Sequence, residues 1–124
     1  MKSHWITYQD KSILYCDYSN YGQPDFDQLK AELDEVVALL VQQPKDSVLA
    51  ITDIRGSTAS REAVALFKEA GIETVDHIHK QAVVGVTGLK KILYDAVIRI
   101  SRQPAKPFGD LELEEAKQWL VADE

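Results

Sequence analysis

The chain has 124 residues, 45% hydrophobic and 27% charged, which fits one folded unit over residues 1–124 around a single core and excludes an intrinsically disordered chain. Its net charge of −6 speaks against nucleic-acid binding, since that affinity comes mostly from cations meeting phosphates. The longest apolar runs, such as residues 36–41, fall far short of the roughly 20 residues a membrane-spanning helix needs.

His4 to Tyr8 and Ser12 to Tyr18 are short β-branched and aromatic segments around Gln9-Asp10-Lys11, which predicts a hairpin. In the second segment Ile13, Tyr15 and Asp17 share one face, and Leu14, Cys16 and Tyr18 the other. After a loop at Asn20, Gly22 and Pro24, Asp25 with Gln28 reads as a capping box, and Phe26, Leu29, Leu33, Val36, Val37 and Leu40 follow at helical spacing until Pro44. Val48 to Thr52 is a continuous apolar run suited to the middle of a sheet, covered on both faces.

A polar loop, Asp53 to Ser60, holds Gly56, and Ser60 is the expected N-cap of a second helix marked by Val64, Phe67 and Ile72 that frays near Gly71. Gln81 to Thr87 repeats the buried-strand pattern, and Leu89, Ile92, Leu93, Ala96, Val97 and Ile100 form the clearest helical series. Pro104 and Pro107 bracket a short extended piece ending at Phe108, and Glu112 to Val121 is a last amphipathic helix. The order β-β-α-β-α-β-α-(β)-α predicts an α/β sandwich: a mostly parallel sheet with an antiparallel N-terminal hairpin and helices packed on it.

Charge is distributed unevenly. Between Lys80 and Lys106, six basic residues (Lys80, Lys90, Lys91, Arg99, Arg102, Lys106) face one acid, Asp95, so this stretch is a basic island in an acidic chain. The N-terminus turns polar at once, without the apolar stretch of a secretory leader, and the lone Cys16 has no partner for a disulfide within the chain. A reducing, cytoplasmic location is expected.

The phrases His-Trp-Ile-Thr-Tyr, Ile-Leu-Tyr-Cys-Asp-Tyr-Ser, Val-Leu-Ala-Ile-Thr-Asp-Ile-Arg-Gly and Ala-Val-Val-Gly-Val-Thr-Gly-Leu-Lys-Lys, with the element order, resemble SpoIIAA-like proteins of the STAS fold family, which is grouped with the lipid-carrying CRAL-TRIO domains. In the anti-sigma-factor antagonists of that family a strand ends in Asp-x-x-Gly, and Asp-Ser-Ser-Gly then opens a helix whose serine is phosphorylated. Asp53-Ile54-Arg55-Gly56 matches the first part, but Ser57-Thr58-Ala59-Ser60-Arg61-Glu62 lacks the acidic lead and the closing glycine. The phosphoswitch is therefore not carried over, while Ser57, Thr58 and Ser60 stand as candidate sites where a phosphate would meet the positive end of the second helix.

Catalytic signals are weak. Cys16 lies mid-strand among apolar neighbours, the setting of an inert thiol, and the many carboxylates on the first and last helices read as solvated faces. His77 and His79 would share a face if extended, yet no third or fourth ligand is apparent, so a solvated loop is expected in place of a metal site. The segment from Gly85 to Lys91 says more: a strand passes through glycines into a helix start flanked by Lys90 and Lys91, which offers an anion free N–H groups and cations. The competing reading is a close-packed turn with solvated lysines; the spacing is not that of a phosphate-binding P-loop. Arg99 and Arg102 extend the basic face toward the helix end. Of the N-terminal aromatics, Trp5 and Phe26 are expected in the core, and the others supply a self-association surface or a pocket rim.

These features favour a non-catalytic regulatory protein-interaction module of STAS type, with no cofactor, acting through Asp53, Gly56, Ser57, Thr58 and Ser60 on a protein partner and self-associating as a homodimer. The runner-up is a carrier or sensor of a small apolar or anionic, lipid-like ligand held at Gly88, Lys90, Lys91, Arg99 and Arg102. An enzyme ranks third.

Overall fold

A computed structural model of the chain describes residues 1–58, 60–101 and 105–122. Strands β1 (His4–Tyr8) and β2 (Lys11–Asp17) form the expected antiparallel hairpin, with Trp5 opposite Leu14. Its tight turn is made by Gln9 and Asp10 at φ 48° and 66°, the left-handed geometry that matches the twist of the strands. Helix α1 (Phe26–Leu40) buries Leu29, Leu33, Val36 and Leu40 along one stripe, each contributing about 1.5–3 kcal/mol of apolar burial.

Asp25 does not cap α1 as expected. A 3-10 turn, Gln23–Asp25, precedes the helix and leaves Asp25 at φ −99°, ψ 18°, outside the extended geometry that aims an N-cap side chain at the helix. Its carboxylate turns back and accepts from the Gly22 N–H at 2.9 Å.

Strand β3 (Val48–Asp53) is the centre of a five-stranded sheet of order β1-β2-β3-β4-β5, parallel to β2 on one side and to β4 (Ile78–Val84) on the other. Helix α2 (Arg61–Thr74) starts at Ser60 as expected: the Ser60 Oγ accepts from the Ala63 N–H at 3.1 Å. It does not fray at Gly71. That residue is buried, its carbonyl accepts the Val75 N–H, and Thr74 Oγ1 donates to the Ala70 carbonyl at 2.7 Å, so the last turn closes despite the roughly 1 kcal/mol a glycine costs.

Strand β4 begins three residues earlier than the Gln81–Thr87 segment expected from apolarity and stops at Val84, because Gly85 at φ 101° turns the chain away. A bulge near its start, where Val48 pairs with Ile78 but Leu49 with Lys80, makes His79 the extra residue and lets Ile78, Gln81 and Val83 share a face. Helix α3 (Leu89–Ser101) follows, then β5 (Ala105–Phe108), a parallel edge strand that tolerates Pro107 because one side of its backbone has no strand partner, then α4 (Leu113–Val121).

The sheet separates two cores. On one face α1 and α2 cover Leu14, Cys16, Val48, Ala50 and Ile78, and α3 packs against the far side of α2. On the other, α4 alone covers Ile13, Ile51, Ala82, Val84 and Phe108 with Ala116, Leu120 and Val121. No helix among the described residues is long and apolar enough to cross a membrane.

Candidate functional site

The C-terminal ends of β2 and β3 bring together a polar cluster the sequence did not announce. Asp53 was expected to open an exposed loop. It is instead the last residue of β3, 2% exposed, on the α4 face beside Tyr15. Its carboxylate accepts from the Arg55 backbone N–H (3.0 Å), Arg55 Nε (3.0 Å), Arg55 Nη2 (2.8 Å) and Tyr15 Oη (2.5 Å). Arg55 Nη2 also reaches Tyr15 Oη at 3.3 Å, and the His4 ring stacks on Tyr15 at 5.6 Å between centroids.

Burial pushes the Asp53 carboxyl up, but the hydrogen bonds from Arg55 and Tyr15 outweigh it and hold the group below the usual carboxylate range. Burial, then the Asp53 carboxylate, pushes the Tyr15 phenol up to about 12. Each member thus satisfies the others, and the Asp-x-Arg spacing served as a turn clasp.

The loop beyond this clasp is tied down as well. Ser57 Oγ donates to the Tyr18 carbonyl and accepts the Tyr21 N–H at 3.0 Å, and Ser60 Oγ is occupied as the α2 cap. Two of the three hydroxyls expected as modification sites, those of Ser57 and Ser60, therefore hold the backbone together. Gly56 and Thr58 are exposed, and the Thr58 N–H donates to the Tyr21 carbonyl at 2.9 Å. Gly56, at φ 74°, packs so closely on Asn20 that a Cβ would come within 2.3 Å of its Oδ1.

On the other face of the sheet lies a cavity of about 130 Å3. Its floor is Ala50, Thr52, Gln81 and Val83 of β3 and β4, and its roof is Phe67 and Ala70 of α2 with Tyr94, Val97 and Ile98 of α3. Of the expected α3 stripe, Val97 faces the cavity while Ile92 is 66% exposed, and the side chains of Leu89, Leu93 and Ile100 lie outside those described. Within it Gln81 Nε2 donates to Thr52 Oγ1 at 2.5 Å, and burial first, then Asp95, pushes the Tyr94 phenol up to about 12. Cys16 also lines this space, its thiol pushed up to about 12 by burial and by Glu32. Thr58 lines both the cavity and a neighbouring groove at Tyr21, Phe26, Ser60 and Glu62.

The expected basic site divides. Lys90, in the first turn of α3, reaches the cavity and donates through Nζ to the Ile54 carbonyl at 3.1 Å. Gly88, at φ 57°, precedes it in the open, while Lys91 and Arg99 are exposed away from it; Arg102 lies outside the described residues. His77 and His79 do not form a solvated loop: His77 Nδ1 donates to the Gln43 carbonyl at 2.8 Å, and His79, inside β4, to Asp46 Oδ1 at 2.9 Å. Trp5 is 43% exposed on edge strand β1, so it is not a core residue; Phe26 is half-buried.

Two buried charges escaped the sequence reading. Glu32 accepts from the Lys2 N–H (3.0 Å) and Ser3 N–H (2.8 Å), strapping the N-terminus to α1. Its place on the Leu29-Leu33-Val36 stripe was the available signal. Lys80 donates to the Trp119 and Ala122 carbonyls at 2.9 and 3.2 Å, capping the end of α4. With β4 begun at Ile78, strand alternation would have put it inside.

No protein-family model and no curated protein matches the chain. Among solved structures it is similar to an uncharacterized protein of the DUF3478 family with a SpoIIAA-like fold from Shewanella loihica PV-4, with 17% identity, a TM-score of 0.63 and coverage of 96% of this chain and 92% of that one. The mixed five-stranded sheet, the hairpin edge and this match agree: the chain has the SpoIIAA-like fold.

Proposed function

We propose that this chain is a non-catalytic ligand-binding module that takes a small apolar molecule into the space between its sheet and helices α2 and α3. The cavity carries this reading. A void lined chiefly by Val, Ile, Leu, Ala and Phe side chains, with a few polar groups, is the usual form of a small-molecule site and is uncommon in a close-packed domain of this size. It reverses the order of the two leading readings from sequence.

The polar clusters support a role without chemistry. Asp53, Arg55 and Tyr15 neutralise one another, Cys16 is held as a thiol, and no three-ligand metal group occurs among the described residues.

Protein interaction is the second reading, and Thr58 favours it. This exposed residue borders the cavity on the loop at the start of α2, so a partner docking on Gly56 and Thr58 would sense whether the cavity is filled. Native mass spectrometry of protein purified from its own host, compared with its denatured mass, tests both. A non-covalent adduct of metabolite size supports the binding module. A bare chain that also fails to take up an apolar dye such as ANS removes it and leaves protein interaction in front.

A further inference from the structure

We propose that the cavity selects a small amphiphile with a carboxylate head and about six carbons, the carboxylate meeting Lys90; this rests on the ligand-binding reading above. The residues on the wall decide the head group. Lys90 is the single charged residue among the described residues that line the cavity. Its Nζ reaches only a neutral carbonyl, that of Ile54, and forms no salt bridge with a described carboxylate.

The nearest acid in sequence to that carbonyl, Asp53, points to the opposite face of the sheet and is consumed by Arg55 and Tyr15. An ammonium at the edge of an apolar space, with no counter-charge among the described residues, is complementary to an incoming anion. The position of Lys90 in the first turn of the 13-residue α3 adds the positive end of the helix dipole on the same side.

Geometry sets the rest of the molecule. Lys90, Ile54, Ser57 and Thr58 mark the end of the cavity at the C-terminal edge of the parallel strands, whereas Ile78 and Thr74 mark the opposite end. Ala50 and Thr52 of β3 lead to Ile54 at the Lys90 end, a run of about 13 Å at roughly 3.3 Å per residue. The lining away from Lys90 is mostly apolar, its polar members being the mutually bonded Thr52 and Gln81, Thr74 bonded to the Ala70 carbonyl, Tyr18, Tyr94 and Cys16, so the tail is hydrocarbon. A cavity of roughly 150 Å3 accepts one benzene. The 130 Å3 cavity accordingly takes about six carbons within its walls.

The test is calorimetric titration of the full chain with hexanoate, hexan-1-ol, acetate and dodecanoate, on wild type and Lys90→Met. The expected order is hexanoate at least tenfold tighter than hexanol, with acetate and dodecanoate weaker than hexanoate; Lys90→Met brings hexanoate down to hexanol while hexanol binding persists and reports an intact fold. Equal binding of hexanoate and hexanol to wild type, or a carboxylate preference that survives Lys90→Met, overturns the head-group assignment and leaves an apolar pocket standing. Dodecanoate binding more tightly than hexanoate overturns the size class. Failure of both hexanoate and hexanol to bind wild type removes the ligand-binding reading itself.

Discussion

Replacing Asp53 by alanine removes the acceptor of four hydrogen bonds at the end of the central strand, three from Arg55 and one from Tyr15. Breaking one side of a buried ion pair costs about 3–5 kcal/mol. The Arg55 side chain is 36% exposed and can rehydrate, and Tyr15 is half-buried, so the lower end applies, about 3 kcal/mol. At about 4 °C per kcal/mol for a chain of this length, that is a fall of about 12 °C in Tm. Urea unfolding followed by the fluorescence of Trp5 and Trp119 reads it directly. Asp53→Asn, which keeps an acceptor oxygen but no charge, should lose about half as much.

The pH dependence carries the same signature. The folded Asp53 carboxyl titrates below its unfolded value, so its contribution is full above about pH 4 and fades as pH falls through the folded pKa. The alanine variant should show a shallower acid limb. A loss under about 1 kcal/mol, or an unchanged acid limb, would refute the clasp.

Glu32→Gln should weaken the hold on the N-terminus, costing about 1–2 kcal/mol at neutral pH, a cost that shrinks as pH falls through the folded pKa of Glu32, read by hydrogen exchange at the Ser3 amide and by melts from neutral pH down the acid limb. Gly85→Ala should destabilise by more than about 2 kcal/mol, since φ is 101° and the new Cβ would sit 2.9 Å from the Arg55 nitrogen. Gly88→Ala, at φ 57° with open space around it, should cost only about 1 kcal/mol; equal losses at the two glycines in thermal melts would contradict this contrast. The Cys16 thiol should resist iodoacetamide at pH 8 in the folded chain and react once urea unfolds it, because burial keeps it protonated; rapid labelling of the native protein would show the core to be open.

Much of the fold was legible in sequence because its local signals agree. The Leu29-Leu33-Val36-Leu40 stripe, the Ser60 cap and the continuous apolar run at Val48 each have a short-range cause, and the structure realises them where they stand. Most misses arose where a distant partner decides. Apolarity placed a strand from Gln81, but strand pairing to Val48 and Leu49 extends β4 back through His79 and Lys80, whose polar side chains hid it. Asp25 lost its cap to a 3-10 turn, and Asp53 looked like a loop residue until Arg55 and Tyr15 closed around it.

The site was legible in halves. Lys90 was picked out by its place after a strand and a glycine turn, whereas the cavity beside it depends on how far α3 stands from β3 and β4, which no residue pattern encodes.

That void also bears on how the protein responds to compression. A cavity of 130 Å3 per molecule corresponds to about 80 mL/mol, an upper bound on what it adds to the volume decrease of unfolding. At 100 MPa that upper bound is a shift of at most about 2 kcal/mol in the folding equilibrium, an appreciable share of a small domain's stability. Hydrostatic pressure should therefore unfold the empty chain readily and the occupied chain less so, making the pressure midpoint a measure of how full the molecule is.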